Sequence, residues 1–158
     1  MFLSFRSVRA THRRLGLLTA LTLLWAPAHA DVGLGEIAAT AMDGPVTLYY
    51  PTHAVAQPVR RGPFTLTLAE QADPVRGNGR LIVISHGSGG APWVHADLAR
   101  SLVEAGFVVA MPQHRGDNYL DDRDPGPDSW TLRPQEVSRA IDAVAQDPRF
   151  APLLKLDK

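Results

Sequence analysis

The chain has 158 residues, with 16 basic and 16 acidic side chains, six histidines and no cysteine. This length suits one small domain, and the charge balance argues against a nucleic-acid partner, which would want a basic face. Without cysteine, the fold has to be held by core packing alone.

The N-terminal stretch carries Arg6, Arg9, Arg13 and Arg14 and no acid. An apolar run from Leu15 to Ala26 follows, and then Ala28-His29-Ala30. Basic, apolar and small-x-small regions in that order read as a signal peptide over residues 1–30, cleaved between Ala30 and Asp31. The run is shorter than the roughly 20 apolar residues of a spanning helix, so no stable membrane span is expected after cleavage. Arg13-Arg14 leaves the Sec and twin-arginine routes both open. The product would be a mildly acidic periplasmic or secreted protein of residues 31–158.

Beyond the leader, "VTLYYP" (46–51) reads as a β-rich strand stopped by Pro51. "FTLTLAE" (64–70) alternates with period two and reads as a strand with one wet face. "LIVIS" (81–85) is apolar at four consecutive positions and suits a strand covered on both sides. From Val94 the period becomes helical through Leu98, Leu102 and Ala105, with Asp97 near the start and Gly106 as the left-handed stop. "FVVAM" (107–111) is a further strand, ending at Pro112. After an acidic, proline-rich loop, a last helix has Pro134 in its first turn, Val137, Ala140, Ile141, Val144 and Ala145 on its apolar face, and Pro148 as its stop. Covered strands alternating with amphipathic helices predict an α/β sheet with right-handed crossovers.

Most of the candidate chemistry lies in "SHGSGG" (85–90), at the carboxyl end of strand 81–85. Gly87, Gly89 and Gly90 make a candidate anion-receiving nest. A dinucleotide loop fails because its sixth position is Pro92, and a phosphate P-loop fails for want of Gly-Lys-Ser/Thr. Neither Ser85 nor Ser88 has the glycine two residues before it that a Gly-x-Ser-x-Gly nucleophile elbow requires. An oxyanion hole made of backbone N–H groups fits, as does a tight turn with no ligand.

"LIVISHGSGG", a helix, and then "GFVVAMPQHRGD" together resemble the front half of an α/β-hydrolase. The likeness is nearest to the dienelactone-hydrolase-like and platelet-activating-factor-acetylhydrolase-like group of exported esterases, and it covers roughly residues 44–158, "LYYPT", "PFTLTLAEQA" and "RPQEVSRAIDAVAQDP" included. The resemblance implies a partial α/β-hydrolase fold, three-layered α/β/α with a mostly parallel sheet and incomplete at its C-terminus. It implies that Ser88 gives its backbone N–H to an oxyanion while its hydroxyl is incidental. Gly87 and Gly89 would shape the loop, and His86 would support it from beneath. The nucleophile, acid and base of such an enzyme would come from a segment after Lys158, so this chain alone is expected to be inactive. Strand 81–85 would then be left with an unpaired edge. The complete form would cleave a small-molecule ester or lactone without a cofactor. The alternatives are a non-catalytic exported ligand-binding module and a non-functional remnant.

Trp93, His114 and Arg115 are placed to line the same cleft as substrate contacts. No metal is expected: His53, His86, His95 and His114 lack zinc spacing, and Asp121, Asp122, Asp124 and Asp128 lack the glycine and terminal glutamate of a calcium loop. Arg115-Gly116-Asp117 spells an adhesion tripeptide and is given no role. Glu136, Arg139 and Asp142 are expected on the wet face of the last helix.

Overall fold

The computed structural model describes residues 30–156. The expected leader is residues 1–30, and all of it but Ala30 lies outside the described part of the chain. The described part begins with strand β1 (Asp31–Ile37). Strands β2 (Val46–Thr52), β3 (Gln57–Arg61), β4 (Phe64–Glu70) and β5 (Leu81–Val83) follow. A 3-10 turn (Pro92–His95) leads into helix α1 (Ala96–Glu104), then come strand β6 (Val108–Pro112) and helix α2 (Pro127–Gln146).

The six strands form one sheet in the order β3-β4-β1-β2-β6-β5. Only β1/β4 and β5/β6 are parallel pairs, while β1/β2, β2/β6 and β3/β4 are antiparallel. This corrects the expected mostly parallel, three-layered hydrolase core: the sheet is mixed, and the described chain has only two α-helices to set against it. The reason lies in the connections. Only β5 and β6 are joined by a helical crossover, whereas β3 and β4 are joined through Gly62-Pro63, a turn short enough to force them antiparallel.

Two strands had no sequence signal because their residues break the usual strand rules. In β1, Gly33 and Gly35 look like breakers, yet the Tyr50 ring lies across them, and a Cβ on Gly33 would sit 2.2 Å from Tyr50 Cε2. The glycines make room for that ring. β3 contains Pro58, tolerated because β3 is an edge strand with one side free of ladder bonds.

The sheet packs on both faces. On one, Val32, Leu34, Tyr49, Leu68, Val109 and Met111 meet α1 through Ala96, Ala99 and Val103. The expected stripe on α1 is rotated, for Val94 and Leu98 are 49% and 52% exposed. Its two buried alanines let the helix backbone sit close to the sheet. On the other face, Val46, Leu48, Tyr50, Val108 and Ala110 meet Ala140 and Val144 of α2 together with Phe150. Phe150 meets Tyr50 edge-on with ring centroids 5.1 Å apart. Gly106, at φ 87°, closes α1 as its position implied.

α2 departs furthest from expectation. It begins at Pro127, seven residues before Pro134, which is now interior. Its buried positions are Ser129, Glu136, Ala140 and Val144, so Glu136 is not on the wet face, while Ile141 is 38% exposed. Arg139 pairs with Asp43 at 2.6 Å. Among the described residues β5 pairs only with β6, leaving its other edge open, and Leu81, Ile82 and Val83 are half-buried.

Phe150 is fully buried and anchors the α2 side of the sheet. Phe150→Ala should therefore lower unfolding free energy by about 3–5 kcal/mol, read from the midpoint of a urea titration with unchanged slope.

Candidate active site

β5 and β6 run parallel, with Val83 level with Ala110, so the residues just beyond their carboxyl ends emerge side by side. Ser85 follows β5 and His114 follows β6. Ser85 is exposed, and its Oγ lies 2.6 Å from His114 Nε2. His114 is 1% exposed, and its Nδ1 lies 2.6 Å from Glu136 Oε2. The other oxygen, Oε1, accepts the Arg115 backbone N–H at 3.2 Å. An ionised carboxylate at Nδ1 requires the proton there, which leaves the Nε2 lone pair to accept the Ser85 O–H. Burial, partly offset by the hydrogen bond to Glu136, lowers the His114 pKa from its ordinary value and keeps the imidazole neutral. Hydroxyl, neutral imidazole and carboxylate thus stand in hydrogen-bonded series.

His86 supports this array from beneath. It is 2% exposed, its Nδ1–H donates to Gly87 O at 2.7 Å, and its Nε2 accepts the His114 backbone N–H at 3.1 Å. Burial lowers its pKa too, so both imidazoles are held neutral. Their ring centroids are 4.8 Å apart.

The glycine loop is fixed by a second carboxylate. Asp117 is fully buried and accepts the Ser88 hydroxyl at 2.6 Å, the Gly89 N–H at 2.9 Å, the Ser129 hydroxyl at 2.9 Å and Arg133 Nη2 at 2.8 Å. Burial alone would raise this carboxyl, but the four donors outweigh it and hold the pKa far below the usual carboxylate range. Arg133 also donates to the His86 carbonyl. Asp117 therefore ties the loop after β5 to the loop after β6 and to α2. Its burial also removes the Arg-Gly-Asp tripeptide from display.

Several expected roles change as a result. The Ser88 hydroxyl is not incidental, for it is bound to Asp117. Of the three-glycine nest, the Gly89 N–H is taken by Asp117 and the Gly90 N–H by the Gly87 carbonyl at 3.0 Å. Among the described residues, the N–H groups of Gly87 and Ser88 have no intramolecular partner. Added Cβ atoms at Gly87 or Gly89 would meet nothing within 4 Å, so the loop is open to an approaching molecule. Gly90 must be glycine, since a Cβ there would lie 2.8 Å from Gly87 O.

The expected substrate contacts are dispersed. His114 is buried within the serine–histidine–carboxylate series. Arg115 turns away from Ser85, its guanidinium donating to the Ala41 carbonyl. Trp93 is half-buried between Phe64 and Tyr119, with ring centroids 5.7 and 5.6 Å away, and borders a separate cavity. Ser85 and Glu136 carry no local signal: the serine lacks an elbow motif, and the glutamate sits in what reads as a polar stripe. The one available clue was that Ser85 and His114 each stand two residues past the last strand position of a β-α-β unit.

Among the described residues no group of three or more His, Cys, Asp or Glu is placed to hold a metal ion, and no helix is long and apolar enough to cross a membrane. Asp121 pairs with Arg123 at 2.6 Å at the surface of the acidic loop. No protein-family model matches the chain, and no curated protein matches it significantly.

Asp117→Asn would keep the shape but lose the charge that offsets half-buried Arg133. It should cost about 3 kcal/mol or more. Because the folded pKa is depressed, the Asp117 contribution is fully present above its ordinary value of 3.8, begins to be lost as pH falls below it, and is gone only when pH passes the much lower folded value. Urea titrations between neutrality and pH 3 should show the onset of this loss in the parent protein and a flatter profile in Asp117→Asn.

Proposed function

We propose that this domain is an exported serine-type ester hydrolase, cleaving a small-molecule ester or lactone by acyl transfer to Ser85. The observation that carries the reading is the series Ser85 Oγ, His114 Nε2, His114 Nδ1 and Glu136 Oε2, with both contacts at 2.6 Å and the hydroxyl end exposed. His114 takes the Ser85 proton as Oγ bonds to the acyl carbon, and the carbonyl π electrons pass to its oxygen. The N–H groups of Gly87 and Ser88 receive that oxyanion, each such donor being worth about 3–4 kcal/mol of barrier. The tetrahedral adduct collapses, the C–O bond to the alcohol breaks, and protonated His114 returns the proton to the leaving oxygen. Water, deprotonated by His114, then attacks the acyl-enzyme and frees Ser85. Glu136 holds the imidazole in the tautomer that these transfers need and balances its charge when protonated. The export of the protein rests on the pattern of residues 1–30.

A second reading has its own observation in favour. The cavities bordered by Trp93, by Arg100, by Arg115 and by Gly77 do not have Ser85 in their walls, and among the described residues the outer edge of β5 is unpaired. In that reading the same three side chains brace the loop, and the attacking serine belongs to chain packed along β5.

Reaction with a fluorophosphonate followed by peptide mapping separates the two. The label is expected on Ser85, and Ser85→Ala should lower kcat/KM for p-nitrophenyl acetate by roughly 10⁴-fold or more. A label on another serine would end the assignment of Ser85 as the nucleophile; the absence of both label and turnover would also end it and leave the second reading, in which this chain alone is inactive, or a non-catalytic module. The base must be neutral, so the acid limb of kcat/KM should have its midpoint below the ordinary histidine value of 6.5.

A further inference from the structure

A cavity of about 420 Å³, within the range of small-molecule sites, opens at the same rim of the sheet as Ser85. It is bordered by Trp93, Tyr119, Gln71, Gln113, Glu36 and the Arg61–Glu70 pair. It adjoins the candidate active site through the backbone: Gln113 precedes His114, Pro92 and Trp93 end the glycine loop, and the Tyr119 N–H donates to Gly90 O at 3.0 Å. The aromatic wall is fixed in place. Phe64 and Tyr119 flank the Trp93 indole, and Gly62 lies against it so closely that a Cβ would be 2.7 Å from the ring.

The polar wall carries a strained residue. Gln71 has φ 51°, the one non-glycine residue with positive φ among those described, and its N–H donates to Leu34 O at 2.8 Å. Glycine would adopt that backbone without penalty, so a side chain kept there at a cost in strain points to a use for the side chain.

The lining narrows the ligand chemistry. An acyl chain would strip water from Glu36, Gln71 and Gln113 without replacing their hydrogen bonds. An anion would face Glu36, and an organic cation without donors or acceptors would leave the amides of Gln71 and Gln113 without hydrogen-bond partners. Arg61 and Glu70 already neutralise each other at 2.6 Å. What remains is a neutral ring that has C–H faces for an aromatic wall and hydroxyls for amides and carboxylates. We propose that this cavity is a saccharide subsite, holding the pyranose ring of a sugar whose acyl ester is presented to Ser85. The binding stands on the cavity; the cleavage rests on the hydrolase reading above.

Ligand-observed NMR titrations of the full chain test it, using the methyl β-pyranosides of glucose, galactose and xylose, with sodium butyrate and tetramethylammonium chloride as comparators. Saturable millimolar binding of at least one glycoside and of neither comparator is expected. Gln71→Gly relieves the backbone while removing the amide. It should weaken glycoside binding by about tenfold, equivalent to one lost hydrogen bond, with Tm unchanged or raised. Trp93→Ala should abolish binding. Ser85→Ala should bind the glycoside as tightly as the parent, so that loss of hydrolysis and loss of the subsite are read apart. The proposal is overturned if no glycoside saturates, if a comparator saturates instead, or if Gln71→Gly leaves affinity unchanged.

Discussion

Two buried carboxylates hold this domain's working end together. Asp117 and Glu136 are each out of water, which would be unfavourable for isolated anions, so each is surrounded by donors drawn from different parts of the chain. Asp117 gathers Ser88, Gly89, Ser129 and Arg133, and Glu136 gathers His114 and the Arg115 amide. The loops after β5 and β6 cannot move independently while these contacts persist. The geometry of the glycine loop follows from that constraint rather than from glycine content, because glycine supplies permission to bend and no instruction about where to stop.

α2 is the element that makes the constraint possible. Ser129, Arg133 and Glu136 lie at i, i+4 and i+7, and Ala140 and Val144 continue the same stripe. The first half of the stripe is polar and faces the two loops, and the second half is apolar and faces Val46, Leu48 and Val108. One helix thus packs the sheet and positions the site, so a change that shifts α2 acts on both. Pro134 is accommodated within it: the polar half is held from outside the helix by Asp117 and His114, which offsets the backbone hydrogen bond that proline cannot make.

The rim of the sheet divides into two neighbouring regions of different character. Around Ser85 the surface is open, the imidazoles are buried and neutral, and the available donors are backbone amides. Around Trp93 there is a formed cavity with aromatic and amide walls. The stretch Gly90 to Trp93 separates them and belongs to both, being fixed by the Gly87 carbonyl at one end and by Phe64 and Tyr119 at the other. This division explains why Trp93, His114 and Arg115, close in sequence terms to one cleft, go to three different places.

Local periodicity was enough to find β2, β4, β5, β6, α1 and the C-terminal half of α2 as elements, but not every face they bury: α1 buries Ala96, Ala99 and Val103 while Val94 and Leu98 before and within it are exposed. The glycine loop was legible as a bend after β5, but not its contacts: the Gly89 and Gly90 N–H groups are taken by Asp117 and the Gly87 carbonyl. Strand direction was not legible: it depends on whether connections such as Gly62-Pro63 are too short for a crossover, and β1 and β3 were hidden by residues that the Tyr50 ring and a sheet edge made tolerable. The Ser85–His114–Glu136 series was invisible for a deeper reason. Its members lie 29 and 22 residues apart, and a buried polar stripe reads as a solvated one until its partners are in place. Sequence by itself determined most of where this chain extends, coils and bends, β1, β3 and the first turns of α2 excepted; only the tertiary structure decided which polar groups leave water together, because that depends on donors contributed by other elements.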